Sequence, residues 1–197
     1  FGADLILLNG IDIFQPFVAG LDAKEDFVQE LHRLVGRPIG INLEPVDSQA
    51  QMAGERLIID EGRQASLATI QRAEELGVDF ICLTGNPGTG VTNQAIIDTI
   101  RVVKENFSGL LIAGKMHASG VDEPVADLEA IAQFIEAGVD IVLAPAVGSV
   151  PGFDEQDLKQ IVRLAHQKGA LVMSAIGTSQ ESADEDIVKQ MAIRNKI

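Results

Sequence analysis

The chain has one cysteine and three histidines, and it carries 15 Lys and Arg against 29 Asp and Glu in 197 residues. A lone Cys82 excludes an internal disulfide and a zinc site made of cysteines alone, and it suits a reducing cytoplasm. The formal net charge of −14 argues against a nucleic-acid partner, because neutralising phosphates takes clustered Lys and Arg. Its simplest reading is a solvated acidic surface. Apolar runs are no longer than a strand, so no membrane span is expected. The first run lacks the basic start of a signal peptide. A dinucleotide fingerprint is also missing, as is the lysine that would turn the glycine-rich segment 84–92 into a nucleotide-binding loop, where Val91 stands instead. With 46% apolar and 22% charged residues, the chain has the composition of a folded domain and not of a disordered one.

What is present is a repeat. Glycine-led apolar runs begin at Gly2, Gly36, Gly77, Gly109, Gly138 and Gly169, 29 to 41 residues apart. That interval is what one strand, one amphipathic helix and two loops consume, so the unit is βα. The strands are continuously apolar, as in parallel sheets covered by helices. Between them run stripes such as Phe27, Val28, Leu31, Leu34 and Val35, or Leu158, Ile161, Val162 and Ala165. Ser66, Thr92, Asp127 and Asp154 stand where N-caps belong, and Gly77, Gly138 and Gly169 where helices should stop.

Six βα units fit either a (β/α)8 TIM barrel or a doubly wound open sheet. The barrel is favoured, as a single domain over residues 1–197 with six of eight units present. The start at Phe1, almost inside a strand, and the stop at Ile197 after a helical stretch read as cuts from something longer, with the first strand and the last unit missing. Right-handed crossovers put all the strand ends on one side, where ligands bind. Two long strand-to-helix loops, 10–24 and 45–65, lie on that rim as lids or substrate walls. The exposed Phe14 and Phe17 of the first also suit a homo-oligomer contact.

The polar residues at the strand ends are the candidates for chemistry. In the stretch 111–120, Lys115 and His117 are two apart and should share a face. The lysine would bind an anion or form an imine, and the histidine would transfer protons. Asn42 and Glu44 repeat that spacing, with Glu44 as counter-ion, general base or one Mg²⁺ ligand. Asn9 ends the first strand. Thr84 and Asn86 open the glycine-rich segment, whose backbone N–H groups could hold an anion. Gly177, Thr178 and Ser179 follow the last strand and suit a substrate phosphate. Carboxylates for a metal are too few at the other strand ends, so no cofactor is required and Mg²⁺ has only weak support. Cys82 reads as a small core residue, and His32 and His166 as solvent-facing.

The segments GADLILLNG, GINLEPVD, DFICLTGNPGTGV, IAGKMHASG and IGTSQES together resemble a bacterial family of (β/α)8-barrel proteins of unestablished activity. Its members are often labelled haloacid-dehalogenase-like or phosphoenolpyruvate phosphonomutase-related. The resemblance implies an extra strand before Phe1 and an eighth unit after Ile197. The dehalogenase label would need a D-x-D arrangement after the first strand, and the phosphonomutase label paired magnesium-binding aspartates; neither has a match here. The residues lead to an enzyme of lyase or isomerase type on a small phosphorylated or carboxylated metabolite, an anionic small molecule. The alternatives are a non-catalytic metabolite-binding or regulatory barrel and a Mg-dependent phosphonomutase-like enzyme.

Overall fold

The computed structural model describes residues 2–22, 25–177 and 183–196. Six strands and six α-helices alternate: β1 Ile6–Leu8, α1 Phe27–Val35, β2 Ile39–Leu43, α2 Leu67–Leu76, β3 Phe80–Leu83, α3 Asn93–Asn106, β4 Leu110–Gly114, α4 Leu128–Ala137, β5 Ile141–Pro145, α5 Glu155–Gln167, β6 Leu171–Ala175 and α6 Glu185–Arg194. A single 3-10 turn, Glu61–Arg63, interrupts the second long loop. The pairings between these six strands are parallel and the order is sequential, β1 to β6.

That order decides between the two architectures. A doubly wound sheet reverses its strand order at a switch point and carries helices on both faces. Here there is no reversal, and α1 to α5 send their buried side chains to one face, into a core with Ile39, Ile41, Leu43, Ile81, Leu83, Leu111 and Val142. The opposite face has its own small cluster, Phe80, Cys82, Ile112 and Leu143, with strand-borne residues and Met116 around it. Gly40 lies under Phe80, and a Cβ at Gly40 would come 2.1 Å from the ring, so a glycine is needed for the phenylalanine to lie across the sheet. The fold is thus of barrel type, yet among the described residues the sheet is open. β1 and β6 have one neighbour each, and the inner-face residues Leu5, Leu7, Leu110 and Leu171 are exposed.

The repeat has a mechanical meaning. The glycine ends a helix in the left-handed conformation, as Gly77 and Gly138 do. Two residues later an aspartate clamps the unit to the one before it. Asp79 Oδ2 accepts the Ile39 N–H at 2.7 Å and lies 2.6 Å from His32 Nε2. Asp140 Oδ2 accepts the Leu111 N–H at 2.8 Å and meets Lys104 at 3.3 Å. His32 is therefore paired and half-buried, not simply solvent-facing as its helical position suggests; His166 is exposed. Ser66, Thr92, Asp127 and Asp154 all cap their helices through side-chain bonds, each worth about 1 kcal/mol. The stripe expected for α1 is shorter than drawn. Phe27 and Val28 are buried, whereas Leu34 and Val35 are exposed, because α1 flanks the edge of the sheet.

Candidate functional site

The ends of β1, β2 and β3 carry one connected polar network. Its centre is Glu44, the residue after β2, only 1% exposed. Burying a carboxylate costs several kcal/mol unless it is paired and hydrogen-bonded. The backbone arranges that pairing. Glu44 N–H donates to the Arg63 carbonyl at 2.9 Å and the Ala65 N–H donates to the Glu44 carbonyl at 2.8 Å, drawing the 3-10 turn against the strand end. Arg63 Nη2 then donates to Glu44 Oε1 at 3.0 Å. Asn86 completes the shell, its side-chain amide donating to Oε1 and its backbone N–H to Oε2, both at 2.7 Å.

Asn9 links the strands. Its Oδ1 accepts from Asn42 Nδ2 at 3.1 Å and from Asn86 Nδ2 at 3.2 Å, while its own Nδ2 donates to Asn86 Oδ1 at 3.2 Å. Asn42 Oδ1 accepts the Thr84 N–H at 3.3 Å. Five residues expected from the sequence, Asn9, Asn42, Glu44, Thr84 and Asn86, thus meet in one place. Among the described residues, two buried polar atoms have no hydrogen-bond partner: Thr84 Oγ1 and Arg63 Nε. Both belong to this network. Arg63 was not singled out in the sequence; the signal was indirect, since a carboxylate ending a buried strand demands a cation.

Lys115 and His117 have different partners. β4 ends at Gly114, and the side chains keep alternating just beyond it, with Lys115 on the helix side and Met116 packed with the inner cluster. Lys115 is 2% exposed and its Nζ donates to Glu123 Oε2 at 2.5 Å. The same oxygen accepts the Asn93 N–H at 2.8 Å, at the start of α3. Its counter-ion is therefore Glu123, which holds it on the helix side of the sheet, and Glu44 is matched to Arg63 instead. His117 is half-buried, and its Nδ1 accepts the Ser119 N–H at 3.0 Å. Burial holds its pKa below the ordinary 6.5; Glu44 acts in the opposite sense, and Lys115 reinforces the lowering. His117 is thus within electrostatic reach of both the network and the lysine.

Three N–H groups of the glycine-rich segment have acceptors within the protein. Asn86 N–H goes to Glu44, Thr89 N–H to the Asn86 carbonyl at 3.3 Å, and Gly90 N–H to the Ser119 carbonyl at 3.0 Å. The loop 45–65 folds over it: Leu57 N–H donates to the Gly88 carbonyl and Ala53 N–H to the Gly120 carbonyl. Arg56 adds bonds to the carbonyls of Thr89 and Ala50, both at 3.2 Å. Gly177 follows β6, across the sheet from the network. Thr178 and Ser179 lie outside the described residues. Cys82 is buried on the inner face, its thiol pushed up to about 12 by burial.

The donor set does not fit a divalent cation. Mg²⁺ is held by carboxylates with waters and near-octahedral oxygens. Here the one carboxylate of the network has both oxygens engaged by Arg63 and Asn86, and the remaining groups are amides. Among the described residues no three His, Cys, Asp or Glu side chains cluster as metal ligands.

The fold and the polar strand ends define a barrel-type α/β protein with its site at the carboxyl ends of the strands. Solved structures share that fold over nearly the whole chain. A protein from Burkholderia cenocepacia J2315 described as a lyase/mutase aligns over 95% of this chain and 66% of its own, with a TM-score of 0.54 and 19% identity. A 2,3-dimethylmalate lyase, a member of the PEP mutase/isocitrate lyase superfamily, aligns over 98% and 67%, with a TM-score of 0.53 and 12% identity. Phosphonopyruvate hydrolase, solved with oxalate and Mg²⁺, aligns over 97% and 66%, with a TM-score of 0.51 and 14% identity. The chain therefore spans about two thirds of the length of these neighbours. They lie on the phosphonomutase side of the two labels attached to the resembling family, and give the haloacid-dehalogenase label no support. A comparison with curated protein sequences returns no match. The chain belongs to the domain-of-unknown-function family DUF7916, whose model matches residues 1–197.

Proposed function

We propose that this protein is an enzyme of lyase or isomerase type acting on a small carboxylated or phosphorylated metabolite at the mouth of β1–β4. In this reading the six βα units are part of a (β/α)8 barrel. The observation that carries it is the pair of unsatisfied buried atoms, Thr84 Oγ1 and Arg63 Nε, inside an otherwise matched network. A buried donor without a partner costs about 1–3 kcal/mol, and a bound oxygen-rich ligand would recover it. Arg63 and Thr84 would take the ligand's oxygens, Asn9, Asn42 and Asn86 would orient it, and His117 would contact the reacting oxygen. Glu44 holds Arg63 and Asn86 in place. Lys115 acts from behind as a fixed charge; to bind an anion or form an imine it must first leave Glu123. The neighbours' names, lyase, mutase and hydrolase of small acids, support the substrate class by analogy of fold.

A thermal-shift screen with oxalate, pyruvate and sugar phosphates, followed by turnover assays on the hits, tests this. Stabilisation by a carboxylate or phosphate that is lost in Thr84→Val supports the reading; an unshifted melting temperature with every compound rejects it. One observation favours a non-catalytic metabolite-binding barrel as the second reading. Both oxygens of Glu44 and the ammonium of Lys115 are already engaged, leaving neither free as a base or nucleophile. Saturable binding with no turnover would select it. The Mg-dependent phosphonomutase-like reading ranks behind both, because among the described residues the network offers no carboxylate pair.

A further inference from the structure

Ser119 is the one non-glycine residue among those described with positive φ, at +55°. That left-handed conformation is unfavourable for a side-chain-bearing residue and is kept only where its surroundings impose it. The surroundings are specific. The Ser119 carbonyl accepts the Gly90 N–H at 3.0 Å, and its side chain rests on Gly85, where a Cβ would come 2.5 Å from Oγ. Gly85 directly follows Thr84, so the strained residue is wedged against the candidate site. The result of the turn is that the Ser119 N–H points back at His117 Nδ1, 3.0 Å away, with the hydroxyl 3.5 Å from the same atom.

A ring nitrogen that accepts an N–H bond cannot itself carry a proton. We propose that Ser119 is a positioning residue which locks His117 in the neutral form with its proton on Nε2, so that the histidine meets a substrate oxygen as a hydrogen-bond donor and does not act as a base. The part concerning substrate rests on the function proposed above. Among the described residues no protein group is bonded to Nε2, so that N–H is left for a ligand. The charged groups around the ring are Glu44, matched to Arg63, and Lys115, matched to Glu123. Glu44 favours an imidazolium, but its charge is matched by Arg63, and burial together with Lys115 disfavours one. Neutral imidazole used as an electrophile toward a developing oxyanion is an established device of barrel enzymes.

The test is nitrogen-15 NMR of histidine-labelled full chain at neutral pH, with His117→Gln used only to assign its signals among the three histidines. The expected result is a pyridine-type Nδ1 and a protonated Nε2 in the ligand-free protein, with the Nε2–H signal moving when oxalate is added. Ser119→Gly keeps the N–H and relieves the left-handed strain, so it should keep the same tautomer. A proton on Nδ1, an imidazolium at neutral pH, or a change of tautomer on adding oxalate would overturn the proposal. The expected tautomer with no response to oxalate or pyruvate would uphold the lock while counting against the enzymatic reading.

Discussion

Asp79 and His32, 47 residues apart, meet at 2.6 Å, and the same carboxylate oxygen takes the Ile39 N–H that opens β2. One side chain thereby joins the start of β3, the first helix and the neighbouring strand. Asp79→Ala leaves that N–H, at a residue whose side chain is fully buried, without its acceptor and should cost about 1–3 kcal/mol. Asp79→Asn keeps an acceptor and should cost less. Urea denaturation of both variants checks the order; equal losses would show that the clamp to Ile39 contributes nothing.

Glu44 and Arg63 should behave as a unit. Glu44→Gln removes the charge from the centre of the network and strands the guanidinium, at an expected cost of about 3 kcal/mol, less whatever solvent reaches Arg63. The double variant Glu44→Gln with Arg63→Met should recover part of that loss, as a coupled pair does in a double-mutant cycle. Simple additivity of the two losses would contradict the pairing.

For Lys115 the two sides of the ion pair are unequal. The lysine is enclosed while Glu123 is about a third exposed and keeps the Asn93 N–H. Lys115→Met, similar in volume, should be nearly neutral for stability, whereas Glu123→Gln leaves a buried ammonium and should cost about 3 kcal/mol. Thermal melts of the two variants decide it, and the reverse ranking would refute the assignment.

His117 predicts an acid weakness. A histidine held below its ordinary 6.5 when folded takes up its proton more readily when unfolded. Its stabilising contribution is complete above 6.5 and is lost as the pH falls from there through the lowered folded value. The difference between wild-type and His117→Gln melting temperatures, followed from about pH 7.5 to about pH 5, should shrink or reverse toward acid. A constant difference would argue against it.

Cys82 should be chemically silent. With the thiol raised to about 12 by burial, almost no thiolate exists at neutral pH, and a disulfide reagent should label it only at the rate of unfolding. Rapid labelling of the native protein would place the residue elsewhere than in the inner cluster.

Much of this was legible because it is local. The N-caps at Ser66, Thr92, Asp127 and Asp154, the helix-ending Gly77 and Gly138, and the polar residues Asn9, Asn42, Glu44, Thr84 and Asn86 all follow from spacing along a βα unit. What did not follow depends on which loop meets which strand. Glu123 takes Lys115 because the loop after β4 bends back onto α3, and Arg63 takes Glu44 because loop 45–65 adds a bridge beyond β2. The glycine-rich segment looks like an anion cradle in sequence, yet its Asn86 and Gly90 N–H groups are taken by Glu44 and Ser119, from other strand ends. The partners of Lys115 and His117 could not be read from their two-residue spacing, because Glu123 and Ser119 reach them from the loop that follows β4.

The strictly sequential strand order has a consequence for how the molecule comes apart. Among the described residues each strand is bonded to its immediate predecessor and successor alone, and the aspartate clamps run the same way. Among the described residues cooperativity is then passed from unit to unit, as in a zipper. Amide exchange should be slowest in β3 and β4 and quicken toward β1 and β6, so fraying at the outer strands would reach Asn9 before it reaches Glu44. The network that joins three strand ends would therefore lose its ligand-orienting amide from β1 while its buried ion pair is still intact.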